Sequence, residues 1–374
     1  MTPTRGATPQ RLGATALLRA SALEMHYQPI LDLASGTIRK VEALARLRDH
    51  DKLLMPGDFL SELDDEGLFE LFVLGLDAAL RDRNHWLMHG IALDISVNLP
   101  PGALSDARYV NATSHALARH ACPPAALTLE ILESRAIGDA AQAVALFRQF
   151  SQLGVMMAED DLGSGHSSLT RLRELDFHWV KIDRSIVRLT GGDDLEVLQF
   201  VYQLTRLGHG LGKSVIVEGV EDVSLIEAIR ILGADAAQGY GIARPMSAHA
   251  ILESLSAKAI PAATPSSASS LPRLARLLLV EDRLYACQQQ PATPASSTLG
   301  SHCVYEGNPQ AFDGAANLRC ENCHRDRLAE DIDAIYPPTT GHDDSTRNLI
   351  DTALRHGVRS AAYRQARQRL TAKR

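Results

Sequence analysis

VMMAEDDLGSGHSSLTRLRELDFHWVKID, residues 155–183, holds two short apolar runs, VMMAEDD at 155–161 and HWVKID at 178–183, and each runs into ionisable side chains. Short apolar runs bounded by glycine and polar residues read as buried strands. The same rhythm continues outward on both sides. Further candidate strands are MHYQPILDL (25–33), KVEALARL (40–47), ALDISVNL (92–99), LTLEILE (127–133), SVIVEGV (214–220) and AAQGYGI (236–242). Stretches with helical periodicity, such as 140–153 and 195–211, separate most of them. Strands alternating with helices argue for a parallel sheet with crossovers, and about eight of them suit a closed TIM-like (β/α)8 barrel. An open doubly wound sheet is the competitor. It lacks its mark here, because KVEALARL runs into charged residues where a glycine-rich turn would follow the first strand.

The ionisable residues fall in or at the ends of these strands: Glu42, Asn98, Glu130, Asp160, Asp161, Lys181, Asp183, Glu218 and Gln238. Their spacing approximates one or two strand-plus-helix units of about 30 residues. In a barrel the C-terminal strand ends share one mouth, so these side chains would converge. A single acid at a strand end is commonly a helix cap or a solvated loop residue; recurrence strand after strand is what a cap does not explain. Carboxylates crowded into one pocket repel and must bind protons or cations. Oxygen ligands with one amide carbonyl and no Cys or His suit Mg²⁺ or Mn²⁺ rather than Zn²⁺. The adjacent acids Asp160 and Asp161 would let one carboxylate bridge two ions, the arrangement that serves phosphoester cleavage.

The whole chain sets the bounds. Its 374 residues are 45% hydrophobic and 22% charged, with a net charge of −7, which argues against binding nucleic acid polymers. No secretory signal or membrane segment is visible; 68–80, the richest apolar stretch, is broken by Glu70 and Asp77 and reads as a core helix. Five scattered cysteines do not form a secreted disulfide framework, so the expected location is cytoplasmic. Composition divides the chain into an N-terminal tail (1–20), the barrel (21–257), an Ala/Pro/Ser-rich linker with a short apolar patch (258–300) and a small C-terminal region (301–374).

From about residue 23 to 255 the chain resembles the EAL family of cyclic di-GMP phosphodiesterases. The resemblance rests on YQPILDLASGTIRKVEALAR (27–46), ISVNL (95–99), LTLEILES (127–134), DDLGSGHSSL (160–169), VKIDRSIV (180–187), VIVEGVED (215–222) and AQGYGIARPM (237–246), in order. It implies hydrolysis of cyclic di-GMP to linear pGpG with two Mg²⁺ or Mn²⁺ ions per site. Glu42, Asn98, Glu130 and Asp160 match the ligands of the first ion; Asp160, Asp161 and Glu218 match those around the second. Lys181 matches the lysine that orients the attacking water, with Asp183 as its hydrogen-bonding neighbour. Glu133 matches the anchor of the loop 161–168, which couples the site to the family's dimer interface, so a homodimer is implied. Substrate contacts fall on Gln28, Leu44, Arg46, Glu221, Gln238 and Pro245. Leu132, Leu162 and His166 stand where the family more often has Thr, Phe and Tyr. No ligand position is lost, which favours an enzyme; the altered loop keeps a non-catalytic cyclic di-GMP receptor as the alternative. TGGDDLEV (190–197) superficially resembles the signature of the opposing cyclases, yet it lies between the sixth and seventh strands with no room for such a domain.

Cys320-Glu-Asn-Cys323-His324 admits three readings. Cys303, Cys320 and Cys323, with His302 or His324, are a ligand set for a structural Zn²⁺. The spelling also matches covalent haem attachment, chemistry that requires export. The third reading is free thiols.

Overall fold

A computed structural model of the chain describes residues 13–132, 140–163, 169–187, 194–257, 270–289, 352 and 361–371. Eight strands close into a barrel: β1 (Leu23–Asp32), β2 (Thr37–Asp49), β4 (Asp94–Leu99), β5 (Leu127–Leu132), β6 (Met156–Leu162), β7 (Trp179–Ile182), β8 (Ser214–Val217) and β9 (Ala236–Gln238). Two short strands, β3 (Lys52–Leu54) and β10 (Met246–Ser247), pair antiparallel on β2 and β1. From β2 to β9 the barrel neighbours are parallel.

The first strand departs from the parallel pattern expected from alternation. β1 is antiparallel to both β2 and β9. The reason is local: only residues 33–36 separate β1 from β2, whereas a parallel neighbour needs a crossover of about a dozen residues or more. The turn is held by Asp32, whose carboxylate accepts from Ser35 N at 2.7 Å and Ser35 Oγ at 2.6 Å.

The helices of the barrel unit are α1 (Ala14–Arg19), α2 (Pro56–Phe59), α3 (Asp65–Met88), α4 (Arg108–Arg119), α5 (Ala140–Gln152), α6 (Leu169–Glu174), α7 (Arg184–Val187), α8 (Asp194–Gly210), α9 (Val223–Ile231) and α10 (Ala248–Ser256). α3 carries the apolar stretch read as a core helix. Its start is fixed by Asp64, which accepts from Gly67 N at 2.8 Å, a cap that contributes about 1 kcal/mol. The outward residues of β4 and β5 (Ile95, Val97, Leu127, Leu129) bury against Leu76 and Leu80 of α3 and Phe147 and Phe150 of α5. Each such side chain contributes about 1.5–3 kcal/mol on leaving water. Inside the barrel the apolar part is small: Ile30, Ile216 and Ala236, with Trp179 against them.

Two segments differ from the composition reading. Within 1–20, α1 packs Ala14, Leu17 and Leu18, spaced for one helical face, against Leu47, Leu54 and Phe59. Within 258–300 lies α11 (Leu271–Gln289); the short apolar patch noted there is part of its buried side, with Leu274, Leu277, Leu278 and Val280. The chain divides into two compact units, Met1–Leu271 and Pro272–Arg374. In the second, Glu281 of α11 accepts from Tyr363 Oη at 2.7 Å and Arg367 Nε at 2.6 Å, both on α12 (Ala361–Thr371). No helix among the described residues is long and apolar enough to cross a membrane.

Candidate active site and metal centre

Side chains alternate across a strand, so residues two apart share the barrel interior. Glu42 on β2, Asn98 on β4, Glu130 on β5, Asp160 on β6, Lys181 on β7 and Gln238 on β9 all take inward positions, and Glu218 follows the last residue of β8. Neighbouring registers align them: Asn98 lies opposite Glu130, and Gln28 of β1 opposite Glu42.

Lys181 is the hub. Its Nζ lies 2.6 Å from Glu218 Oε1, 2.8 Å from Glu130 Oε2, 3.1 Å from Asp160 Oδ1 and 3.6 Å from Glu42 Oε2. Glu42 is held from two further sides, by Asn98 Nδ2 at 2.9 Å and Gln238 Nε2 at 2.6 Å. Gln238 Nε2 also donates to Gln28 Oε1 at 3.2 Å, and Gln28 Nε2 to the Ala243 carbonyl at 3.3 Å.

Asp161 reaches the mouth by a different device. Strict alternation would turn it outward, but the β6–β7 register shifts between Glu159 and Leu162, and Asp161 takes a φ of 63°. Such a bulge re-aims the extra residue. Oxygens of Asp160, Asp161 and Glu218 consequently lie within 4.8 Å of one another. Glu218 depends on the residue after it. Gly219 has a φ of +67°, and a Cβ there would stand 2.5 Å from Arg184 Cβ, so only glycine lets the chain turn where Glu218 must sit. Gly239 does the same after Gln238, since a Cβ would fall 2.1 Å from the Val220 carbonyl oxygen.

The acids outnumber the ammonium, and their proton affinities record it. Burial pushes Glu218 up to about 8 and Glu130 to about 7, with Lys181 opposing and the neighbouring acids adding. Asp161 rises to about 6, through burial first and then the charges of Asp160 and Asp183. Asp160 is raised as well, chiefly by burial. Burial also acts upward on Glu42, yet Lys181 and the two amides outweigh it and hold Glu42 low. Lys181 is desolvated, but the surrounding carboxylates raise it well above the ordinary lysine value, so it remains an ammonium at neutral pH.

Glu130 Oε1 is buried without a hydrogen-bond partner, and the donor set is carboxylate oxygen plus one amide. Hard divalent cations fit both features. A ligand set for soft metals does not form here.

One expected contact is absent. Asp183 does not bond Lys181; it lies just past the end of β7 and accepts from Ser185 N at 2.8 Å at the start of α7. That turn and Asp161 hold its carboxyl below the usual range against the effect of burial. At the rim, Arg46 is buried with no carboxylate within ion-pair distance among the described residues; its Nη1 donates to the adjacent Ala45 carbonyl at 2.8 Å. Leu44 and Pro245 are half-buried and Glu221 is exposed. Glu133, Cys303, Cys320, Cys323 and His324 lie outside the described residues.

Sequence reasoning passed over Glu159. Its carboxylate is buried on the outer face of β6 and accepts from Arg171 Nη2 of α6 at 2.7 Å. The available signal was a charge in an outward slot of a parallel strand, where apolar residues are the rule.

Residues 13–245 match the family model described as the EAL domain. Among curated relatives, the bifunctional diguanylate cyclase/cyclic di-GMP phosphodiesterase MucR of Pseudomonas aeruginosa is 35% identical over 242 residues, covering 64% of this chain and 35% of MucR. The cyclic di-GMP phosphodiesterase NbdA of the same organism is 33% identical, covering 66% of this chain and 32% of NbdA. The chain thus spans about a third of the length of these relatives. Among solved structures, the PaMucR phosphodiesterase in complex with c-di-GMP aligns with a TM-score of 0.58 at 34% identity, covering 63% of this chain and 96% of that one. An EAL domain protein from Listeria monocytogenes aligns with a TM-score of 0.56 at 29% identity, covering 65% and 96%.

Proposed function

The chain belongs to the EAL domain family, and from that premise we propose that it is a divalent-metal-dependent phosphodiesterase that hydrolyses cyclic di-GMP to linear pGpG. The observation that carries the reading is Lys181 enclosed by Glu42, Glu130, Asp160 and Glu218, an ammonium within 4 Å of four carboxylates and too little charge to neutralise them.

Glu42, Asn98, Glu130 and Asp160 would hold one Mg²⁺ or Mn²⁺, and Asp160, Asp161 and Glu218 a second. Bound ions would lower the pKa of a coordinated water towards neutrality and offset charge on the phosphate. Lys181 stays protonated, so its part is that of a donor: it orients the attacking water and balances negative charge as the P–O3′ bond breaks. Asp183 acts at one remove, by holding Asp161. The buried guanidinium of Arg46, with no carboxylate within ion-pair distance among the described residues, is suited to a phosphate, whose oxygens match its planar fork. Gln28, Leu44, Glu221, Gln238 and Pro245 line the approach for the rest of the dinucleotide. Glu133 as loop anchor, a homodimer, a cytoplasmic location, the division at 21–257 and a structural Zn²⁺ on Cys303, Cys320, Cys323 and His324 belong to the same proposal.

Purified chain incubated with cyclic di-GMP and Mg²⁺ or Mn²⁺ is expected to yield pGpG on chromatography, and none with a chelator. Binding of the dinucleotide without product would assign the barrel to a receptor instead.

A further inference from the structure

Glu159 immediately precedes the acid pair, and alternation turns it to the outer face of β6, away from the mouth. There it meets Arg171 of α6, so the pair joins the two elements on either side of the segment that follows the acids. Both residues are buried. A buried ion pair is a poor source of net stability, because desolvating both charges cancels most of their attraction and an apolar pair often serves as well. What the pair supplies is direction, since Arg171 Nη2 donates to Glu159 Oε2 at 2.7 Å and a charged hydrogen bond of that length holds its two elements in a restricted geometry.

Direction is what this strand end lacks. Glu159 pairs with Val180 in the β6–β7 ladder, and the register then shifts before Leu162. Asp160 and Asp161 lie in that gap, and Asp161 holds a left-handed conformation that is unfavourable for a residue with a side chain. On the β7 side the last pairing before the gap is on Glu159, while on the β5 side the ladder runs one residue further, to Asp160 opposite Leu132, and leaves Asp161 unpaired in both registers.

We propose that the Glu159–Arg171 ion pair is a positioning device for Asp160 and Asp161, fixing the end of β6 so that both carboxylates reach one divalent cation. The inference rests on the reading that Asp160, Asp161 and Glu218 hold such an ion. Glu159 and Arg171 are not ligands; they act through the backbone.

The test is Mn²⁺ binding to the chelator-treated full chain by calorimetry, with thermal unfolding in parallel, for wild type, R171M, R171K and the double variant E159L/R171M. R171M takes the guanidinium away from a buried carboxylate and is expected to melt lower and to need about tenfold more Mn²⁺ for half-saturation. R171K, which keeps the charge but loses the fork, should fall between. The double variant should recover the melting temperature without recovering Mn²⁺ affinity, a split that simple packing does not produce. Wild-type affinity in the double variant, or in R171M, overturns the proposal. Should R171M fold too poorly to measure, the double variant carries the comparison alone. A wild-type chain that binds no Mn²⁺ overturns the cation reading itself, and the proposal with it.

Discussion

At the C-terminal ends of the barrel strands Lys181 sits among four carboxylates, whereas at the N-terminal ends Lys40 rests its Nζ 4.2 Å above the ring of Trp179. Both lysines are buried inside the same barrel, and no carboxylate lies within ion-pair distance of Lys40 among the described residues. Their chemistry diverges accordingly. Lys181 is held protonated, while burial lowers Lys40 to about 8 against the weaker pull of Glu130 and Asp94. Asp94, its partner in the β2–β4 register, is raised by its own burial. Between the two ends lies the thin plug of Ile30, Ile216 and Ala236. One end concentrates negative charge beyond what the protein itself neutralises; the other tolerates a single cation with an aromatic face for support. The fold is common to both, so this difference in charge is what supports the proposal of a ligand site at the acidic end.

The most damaging blow to that contrast is Glu42→Ala. It removes a carboxylate but little core volume, and turnover is expected to fall by roughly 10³-fold with the circular dichroism spectrum retained. A wild-type rate would take Glu42 out of the site.

Next in size is the dependence on pH and metal. Asp161, Glu130 and Glu218 keep their protons to higher pH folded than unfolded, so their contribution to stability is complete at low pH and disappears as pH rises through about 6, 7 and 8 respectively. The chelated chain should therefore lose resistance to urea between pH 5 and pH 9 on the order of a few kcal/mol. A fixed Mn²⁺ concentration, about 100 times the dissociation constant at pH 8, should restore about 2.7 kcal/mol at that pH. The restoration should be larger at pH 8 than at pH 6, because fewer protons compete. Equal restoration at both would argue against ion binding to these acids.

Gly219→Ala is a finer probe. The added methyl meets Arg184 and a positive φ, so a loss of about 1–3 kcal/mol is expected. Activity should fall with it, since Glu218 is displaced; full activity at reduced stability would place Glu218 outside the reaction.

Lys40→Met, at the opposite end, should change the rate by no more than about twofold, as the side chain lies a layer below the acids. Its effect belongs to stability. A lysine whose folded pKa is depressed opposes folding while protonated, and that opposition lifts as pH rises from about 8 towards the ordinary lysine value. Wild type should gain stability over that window and the variant should not. A large loss of activity would collapse the distinction between the two ends.

The barrel and its acids were legible because the carrying residues recur at fixed places. From β4 to β8 each strand is short and leads on to a helix, and Glu42, Asn98, Glu130, Asp160 and Lys181 occupy inward slots near one level. What escaped reading lacks such repetition. Asp161 itself is read with the other acids, but the bulge that turns it inward against period-two alternation is not legible. The resemblance makes Asp183 the neighbour of Lys181, whereas the turn into α7 gives its carboxylate the backbone N–H of Ser185. Arg171 lies twelve residues from Glu159, with nothing in the spacing to join them. β1 reads as one more parallel strand until the length of its connection is considered.

Glu42 takes a hydrogen bond from Gln238, a residue 196 positions later. A nascent chain has made its first acid long before the strand that grips it leaves the ribosome. A fragment ending between Glu218 and β9 would carry every carboxylate of the mouth but lack the amide that holds Glu42. The grip on Glu42 therefore closes only once synthesis has passed β9.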